Sequence, residues 1–239
     1  MNPIKALIRL AAHRAGFEII PRWRVRQFAL DQHMLGLFRR LKIDSVIDVG
    51  ANAGQFGEML RRDIRYEGPI LSFEPQQDVA RALHAKARKD RHWDVVEMAL
   101  GAASGQLQLN ICASTTYSSF KDPDPKGRSA ASQIVTRRDL VEIRRLDSFT
   151  DVRGSRIYLK MDTQGFDLEV VKGATALLDR IVAVQTEVAF IPLYKDVPSW
   201  HESVETFRRL GFVVSGFFPV SHDDAGRLVT ADCLLVRDR

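Results

Sequence analysis

SVIDVGANAGQFG, residues 45–57, is the stretch that decides the fold. It opens with an apolar run, Val46-Ile47, followed by Asp48 and by glycines at 50, 54 and 57. Beyond Gly54 the apolar residues Phe56, Met59, Leu60 and Ile64 recur at helical spacing. A buried strand, a glycine-rich turn and a helix, in that order, form the front edge of a nucleotide-type α/β fold. Glycine suits a turn whose backbone must approach a ligand that a Cβ would displace. The helix start adds unpaired N–H groups and a positive dipole end. The glycines are spaced Gly-x-x-x-Gly-x-x-Gly, unlike the Gly-x-Gly-x-x-Gly of dinucleotide-binding folds. No Gly-Lys-Ser/Thr follows, which excludes a phosphate-cradling P-loop. An acid at the strand end, Asp48, suits a cationic ligand better than a pyrophosphate.

The next strand, residues 70–73, ends in Glu74-Pro75. An acid at that place can accept both hydroxyls of a ribose. S-adenosylmethionine carries both a sulfonium and an ammonium, the kind of cation that Asp48 suits. A third diagnostic stretch is IYLKMDTQGFDLEVVKGA, residues 157–174, a strand ending at Asp162 and leading into a helix with Phe166, Val170, Ala174 and Leu177 inside.

Taken together, VIDVGANAGQFG, Phe73-Glu74-Pro75 and the 157–174 stretch resemble the ordered motifs of FkbM-type methyltransferases. That family uses S-adenosylmethionine on a Rossmann-like sheet, and the resemblance covers about residues 44–239. It implies an α/β fold with a doubly wound, mostly parallel seven-stranded sheet, to which the helical spacing before residue 43 adds an N-terminal helical extension. The family has Lys-Ile-Asp-Val-Glu-Gly-Phe-Glu in the third motif. This chain keeps Lys160, Asp162, Gly165 and Phe166, but has Gln164 in place of the Glu and Asp167 in place of the last Glu. Met98-Ala99 resembles the segment beside the adenine, and Ser118-Ser119 a serine-rich motif near the cofactor. The cofactor-binding set implied is Asp48, Gly50, Ala51, Asn52, Gly54, Phe56, Glu74, Pro75, Met98, Ala99, Ser118 and Asp162.

Two domains are expected: a basic helical segment over 1–43 and the methyltransferase domain over 44–239. The net charge is +5, yet residues 1–43 carry nine Lys/Arg against Glu18 and Asp31, leaving the remainder slightly acidic. That asymmetry argues against a catalytic domain built as a nucleic-acid groove. Residues 4–15 have an apolar face, Ile4, Leu7, Ile8, Ala11 and Ala15, beside Lys5, Arg9 and His13. This helix reads as a lid on the catalytic domain, with weak contact to an anionic membrane surface as the alternative. Cys112 and Cys233 are far apart, lack metal spacing and sit in expected strands. They read as buried thiols of a reducing compartment, and with no signal-peptide pattern the expected location is cytoplasmic.

Further strands are expected at 93–98, 134–146, 181–188, 213–217 and 230–237, with helices at 27–41, 77–89 and 198–210. Gly105 is expected to turn a hairpin whose return strand is 107–111. A long polar stretch, 112–131, follows. Tyr117 and Lys121 spell the Tyr-x-x-x-Lys of short-chain dehydrogenases, but Asp-Pro-Asp-Pro after Lys121 prevents the helix that pair needs.

Methyl transfer to an alcohol needs alignment and a base. Asp162 and Glu187, at the ends of neighbouring central strands, are the candidate catalytic residues. Either could take the proton, or together they could hold a divalent cation. The metal-free form is favoured because no clear third ligand follows Glu187. Their structural alternatives are a helix N-cap for Asp162 and a buried ion pair with Lys160 for Glu187. Asp162-Thr163-Gln164-Gly165 lacks the prolines of base-directed amino methyltransferases, which favours O-methylation of a saccharide or natural-product hydroxyl. A non-catalytic cofactor- or partner-binding protein on the same scaffold is the rival reading.

Overall fold

The computed structural model describes residues 7–8, 11–12, 14–17, 19–21, 25–124 and 133–238. Its centre is a seven-stranded sheet in the order β3-β2-β1-β7-β8-β10-β9. The strands are β1 (Ser45–Val49), β2 (Ile70–Phe73), β3 (Trp93–Val96), β7 (Ile157–Met161), β8 (Ile181–Ala189), β9 (Phe212–His222) and β10 (Leu228–Arg237). Neighbours pair in parallel from β3 across to β8, and β10 runs against both β8 and β9. β1 and β7 are buried along their whole length, as expected of central strands covered on both faces.

Alternation along β1 sends Val46 to one face and Ile47 to the other. The Val46 face is covered by α1 (Val25–Leu41), whose Leu30, Met34, Leu37 and Phe38 pack with Tyr158 and Leu234. The boundary drawn at residue 43 therefore separates a helix and a strand that share one core. The Ile47 face packs against α4 (Asp167–Lys172) and α5 (Trp200–Arg209) through Val170, Val171 and Phe207. α5 starts in a capping box: the Glu202 N–H donates to Ser199 Oγ and the Ser199 N–H to Glu202 Oε2. α2 (Gln55–Met59) runs on as a π turn over Leu60–Ile64, and α3 (Gln77–Ala87) follows β2.

Three expectations are corrected. The strand beginning at Gly105, β5 (Gly105–Cys112), does not fold back on its predecessor. It pairs antiparallel with β6 (Val135–Arg144), which also takes up β4 (Ala99–Leu100), in a separate three-stranded sheet. The helix after β7 ends at Lys172 and resumes as a 3₁₀ turn over Thr175–Arg180. The break sits at Gly173, where a Cβ would lie 2.0 Å from the Gly101 carbonyl oxygen and where the Asp147 N–H donates to the Gly173 carbonyl. The third strand stops at Val96, two residues short of Met98.

Of the 4–15 helix, Ile4, Lys5, Arg9 and His13 lie outside the described residues, while Leu7 and Ile8 are exposed. Residues 125–132 of the polar loop also lie outside them. Among the described residues no helix is long and apolar enough to cross a membrane.

Candidate active site

The chain steps outward from β1 to β2 and β3 on one side, then returns to β7 and β8 on the other. Ligands of doubly wound sheets bind outside the strand ends at such a reversal. Here the ends of β1 and β7 are tied by the Asp162 N–H, which donates to the Val49 carbonyl at 3.0 Å.

An inner cleft opens at this point, between the ends of β1, β2 and β7 and the loop that carries Ser118. Gly50, Asn52, Glu74, Pro75, Met98, Ala99, Ser118 and Asp162 of the expected set all line it. Leu100, Leu109 and Phe120 add apolar wall, two of them from the second sheet. An outer cleft shares Gly50, Asn52 and Asp162 with the inner one and adds Ala51, Phe56, Lys160, Gln185 and Asp232. Asp48 and Gly54 line neither cleft.

Glu74 is buried at the end of β2. Its Oε2 accepts from the Asn52 N–H at 2.8 Å and its Oε1 from the Gln76 N–H at 2.9 Å. Burial pushes the Glu74 carboxyl up, and the two backbone donors pull the other way. Each oxygen keeps acceptor capacity for a further donor. Ser118 Oγ donates to Gln76 Oε1 at 3.1 Å, which holds the loop over the cleft.

The glycines of the β1 turn also have a task within the fold itself. Gly50 has a φ of +72°, and a Cβ there would lie 2.1 Å from the Asp162 carbonyl oxygen. Cβ atoms at Gly54 and Gly57 would strike Leu83 and Trp93. Bare backbone at these positions lets β7, α3 and β3 close on the turn. Asp48 is likewise engaged internally, fully buried with Lys160 Nζ 3.2 Å from its Oδ1.

At the β7 end, the Asp162 side chain is 42% exposed, with Lys160 Nζ 3.7 Å from Oδ2. It caps no helix: the residue before α4 is Phe166, without a side-chain cap. Gln164 Nε2 donates to Asp162 Oδ1 at 2.8 Å and to Glu187 Oε2 at 3.2 Å. The two candidate acids are thus brought together through an amide. Glu187 does not pair with Lys160, whose ammonium is taken by Asp48 and Asp162. Burial, reinforced by Asp162 and Asp232, pushes the Glu187 carboxyl up to about 8. Glu187 faces a second, smaller cavity on the far side of Gln164, walled by Leu193, Tyr194, Val197 and Pro198.

In the last expected strand, 230–237, Asp232 stands at a position that resembles the family's, whereas Gln185 and the Gln164 amide had no role in the sequence reading. Asp232 stands opposite Glu187 in the β10–β8 register and accepts from Gln185 Nε2 at 3.0 Å. Burial raises its carboxyl to about 6. A lone Asp in an apolar strand, as in VTADCLLV, was the available signal. Among the described residues no group of three His, Cys, Asp or Glu is placed to hold a metal ion.

The Methyltransferase FkbM domain matches residues 48–214, more than half of the chain. No curated protein matches. Among solved structures, methyltransferase FkbM from Methylobacillus flagellatus KT is similar at a TM-score of 0.52 and 16% identity, over 81% of this chain and 43% of that one. Magnesium protoporphyrin IX methyltransferase from Synechocystis PCC 6803, with bound SAM, gives 0.49 at 9% identity, over 90% and 81%. Aeropyrum pernix fibrillarin, with natively bound S-adenosyl-L-methionine, gives 0.47 at 14%, over 81% and 66%. The present chain spans less than half of the FkbM structure, and at such identity the likeness shows the fold. With the domain match over most of its sheet and clefts, the chain belongs to the FkbM methyltransferase family.

Proposed function

We propose that the chain transfers a methyl group from S-adenosylmethionine to a hydroxyl on a saccharide or natural-product acceptor. The observation that carries this is the inner cleft, with Glu74 at one end and the half-exposed Asp162 carboxylate at the other. The residues fit the cofactor. Glu74 has lone pairs left for two ribose hydroxyls, Met98, Leu100, Leu109 and Phe120 suit an adenine, and Asp162 suits a positive centre. When bound, S-adenosylmethionine supplies an electrophilic methyl on a sulfonium.

Gly50 and Asn52 line both clefts, so a ligand in the inner cleft is within reach of one in the outer. Asp162, common to both, is placed to orient an acceptor hydroxyl and take its proton, with Glu187 behind it across Gln164. The rest of the outer cleft is mixed, with amides (Gln27, Gln55, Gln185), acids (Asp63, Asp232), bases (Arg62, Lys160) and apolar side chains such as Leu30 and Met59. Such a lining suits a polar acceptor able to donate and accept hydrogen bonds. Incubating the protein with methyl-labelled S-adenosylmethionine and a panel of saccharide and natural-product alcohols, read by mass spectrometry, tests the reading. Labelled ether on an alcohol supports it; tight cofactor binding with no transfer to any alcohol rejects it.

A further inference from the structure

Gln164 holds both candidate acids, and it is itself held at every polar atom of its side chain and at its carbonyl. Its backbone is in the left-handed region at φ +54°, and its carbonyl accepts from Ser119 Oγ at 2.7 Å. At the side-chain end, Oε1 faces the Tyr194 hydroxyl at 2.8 Å, and that hydroxyl also lies 2.8 Å from the Tyr117 carbonyl. Turning the amide over would aim its oxygen at two carboxylates, so the acids themselves set which end is the donor.

From this we infer that Gln164 is a positioning residue: one uncharged amide ties Asp162 and Glu187 into a single proton-accepting pair. The inference rests on the methyl-transfer reading above. Two carboxylates held close repel, and a divalent cation between them would relieve the repulsion but would also make both poor proton acceptors. An amide nitrogen has two N–H groups and no charge, so it can serve both carboxylates and leave their basicity largely in place. A base works best with its pKa near the working pH. Glu187, held high by burial with Asp162 and Asp232 adding, is in that range.

The groups facing Glu187 are Asp162 at the end of β7, Asp167 at the start of α4, Asp232 and Thr230 on β10, and Tyr194 in the loop after β8. Lys160 stands on the far side of Asp162. None of these except Asp162 touches the Gln164 amide nitrogen, so replacing the amide removes one donor shared by two acids, together with the acceptor of the Tyr194 hydroxyl, which keeps the Tyr117 carbonyl.

The test uses the full chain labelled with [¹³C]glutamate, following the Glu187 carboxyl signal by NMR from about pH 5 to 10, with Glu187→Gln to assign it. Losing a hydrogen bond to the charged form should raise the midpoint by about one to two pH units in Gln164→Met. Gln164→Glu, which keeps the length but replaces the donor with a third acid, should raise it at least as far and serves if Gln164→Met does not fold. A midpoint within about 0.3 pH units of the wild type in a folded variant overturns the inference. The readout needs neither acceptor nor turnover. A raised midpoint in a protein that methylates no alcohol would reject the reaction while keeping the tether.

Discussion

Lys160 and Asp48 stand directly opposite each other in the β1–β7 register, with Nζ 3.2 Å from Oδ1 and Asp48 fully buried. The acid that a sequence reading assigns to a cationic ligand already has its cation, supplied by the neighbouring strand. Lys160 also reaches the Gly50 carbonyl at 3.3 Å and Asp162 at 3.7 Å, and it sits over the Phe56 ring. Burial works against its charge, but the two carboxylates raise its pKa and keep it an ammonium.

Removing one member of a buried pair strands the other, at a typical cost of 3–5 kcal/mol (a rough range). Lys160→Met should therefore lower unfolding free energy by about that amount, measured in urea. Asp48→Asn in the Lys160→Met background should recover part of the loss, because no buried charge is then left alone at β1. A Lys160→Met loss below about 1 kcal/mol would mean that the pair is not a structural tie.

The turn glycines are needed by the fold, whatever a ligand asks of them. Gly54→Ala should lower stability by roughly 1–3 kcal/mol, since its Cβ would lie 2.9 Å from Leu83 Cδ1 and its φ is +82°. Gly50→Ala, aimed at the Asp162 backbone, should lower stability and cofactor affinity together. Urea midpoints and calorimetry separate the two. A Gly54→Ala protein of wild-type stability that no longer binds S-adenosylmethionine would restore the ligand-space explanation.

The parts of this fold that were legible in the sequence are those whose cause is local. The mainly apolar strands at 46–49 and 157–161, the turn between β1 and α2, and the acid after β2 each carry their reason within a few residues. What escaped depends on register. β5 meets β6 only after the long polar loop, so its pairing with Ile143 through Val135 had no nearby signal. Asp232 stands in an expected strand at a family-like position, but its place against Glu187 follows only from β10 running back along β8. Gln164 looked like a loss relative to the family motif. Its use as a donor depends on Tyr194, thirty residues away, and on a left-handed backbone that a Gln residue does not advertise.

Glu74 tests the ribose assignment. Glu74→Ala should weaken S-adenosylmethionine binding about tenfold or more, since charge-assisted bonds contribute roughly 1.5–3 kcal/mol each. It also leaves the Asn52 and Gln76 N–H groups without their partner, so some stability should go too. Glu74→Gln keeps the shape and can still accept, and should bind the cofactor between the wild type and Glu74→Ala. A loss below twofold by calorimetry in Glu74→Ala would take this residue out of the site.

Glu187 should leave a mark on stability as well. Its ordinary value is 4.5 and its folded value is raised to about 8, chiefly by burial. Below the ordinary value both states hold the proton and nothing is lost. As pH rises from about 4.5 to 8 the unfolded chain releases a proton that the native state keeps, so stability falls across that window. Glu187→Gln abolishes this titration. Its urea midpoint should decline less than the wild type's between pH 5 and 8, and parallel curves would show that the carboxyl titrates normally.

The final question is which acid takes the proton. Asp162 lines both clefts and is half exposed, whereas Glu187 lies behind Gln164 and is held near neutrality by its surroundings. That division predicts unequal roles. Asp162→Asn should cut turnover by roughly 10²–10⁴-fold, the usual contribution of a general base, with cofactor affinity reduced only by the loss of one negative neighbour. Glu187→Gln should cut it less, and should remove the rise in rate with pH that ends near 8 in the wild type. The sign follows from the base having to be ionised: rate increases as Glu187 loses its proton and stops increasing once the pair is fully charged. Chelators should leave the rate unchanged if the amide bridge suffices. Turnover abolished by chelation and restored by magnesium would put a cation between the acids and give Gln164 a different task. Full activity in both Asp162→Asn and Glu187→Gln would make the pair structural and move the base to the loop after β5 or to the acceptor itself.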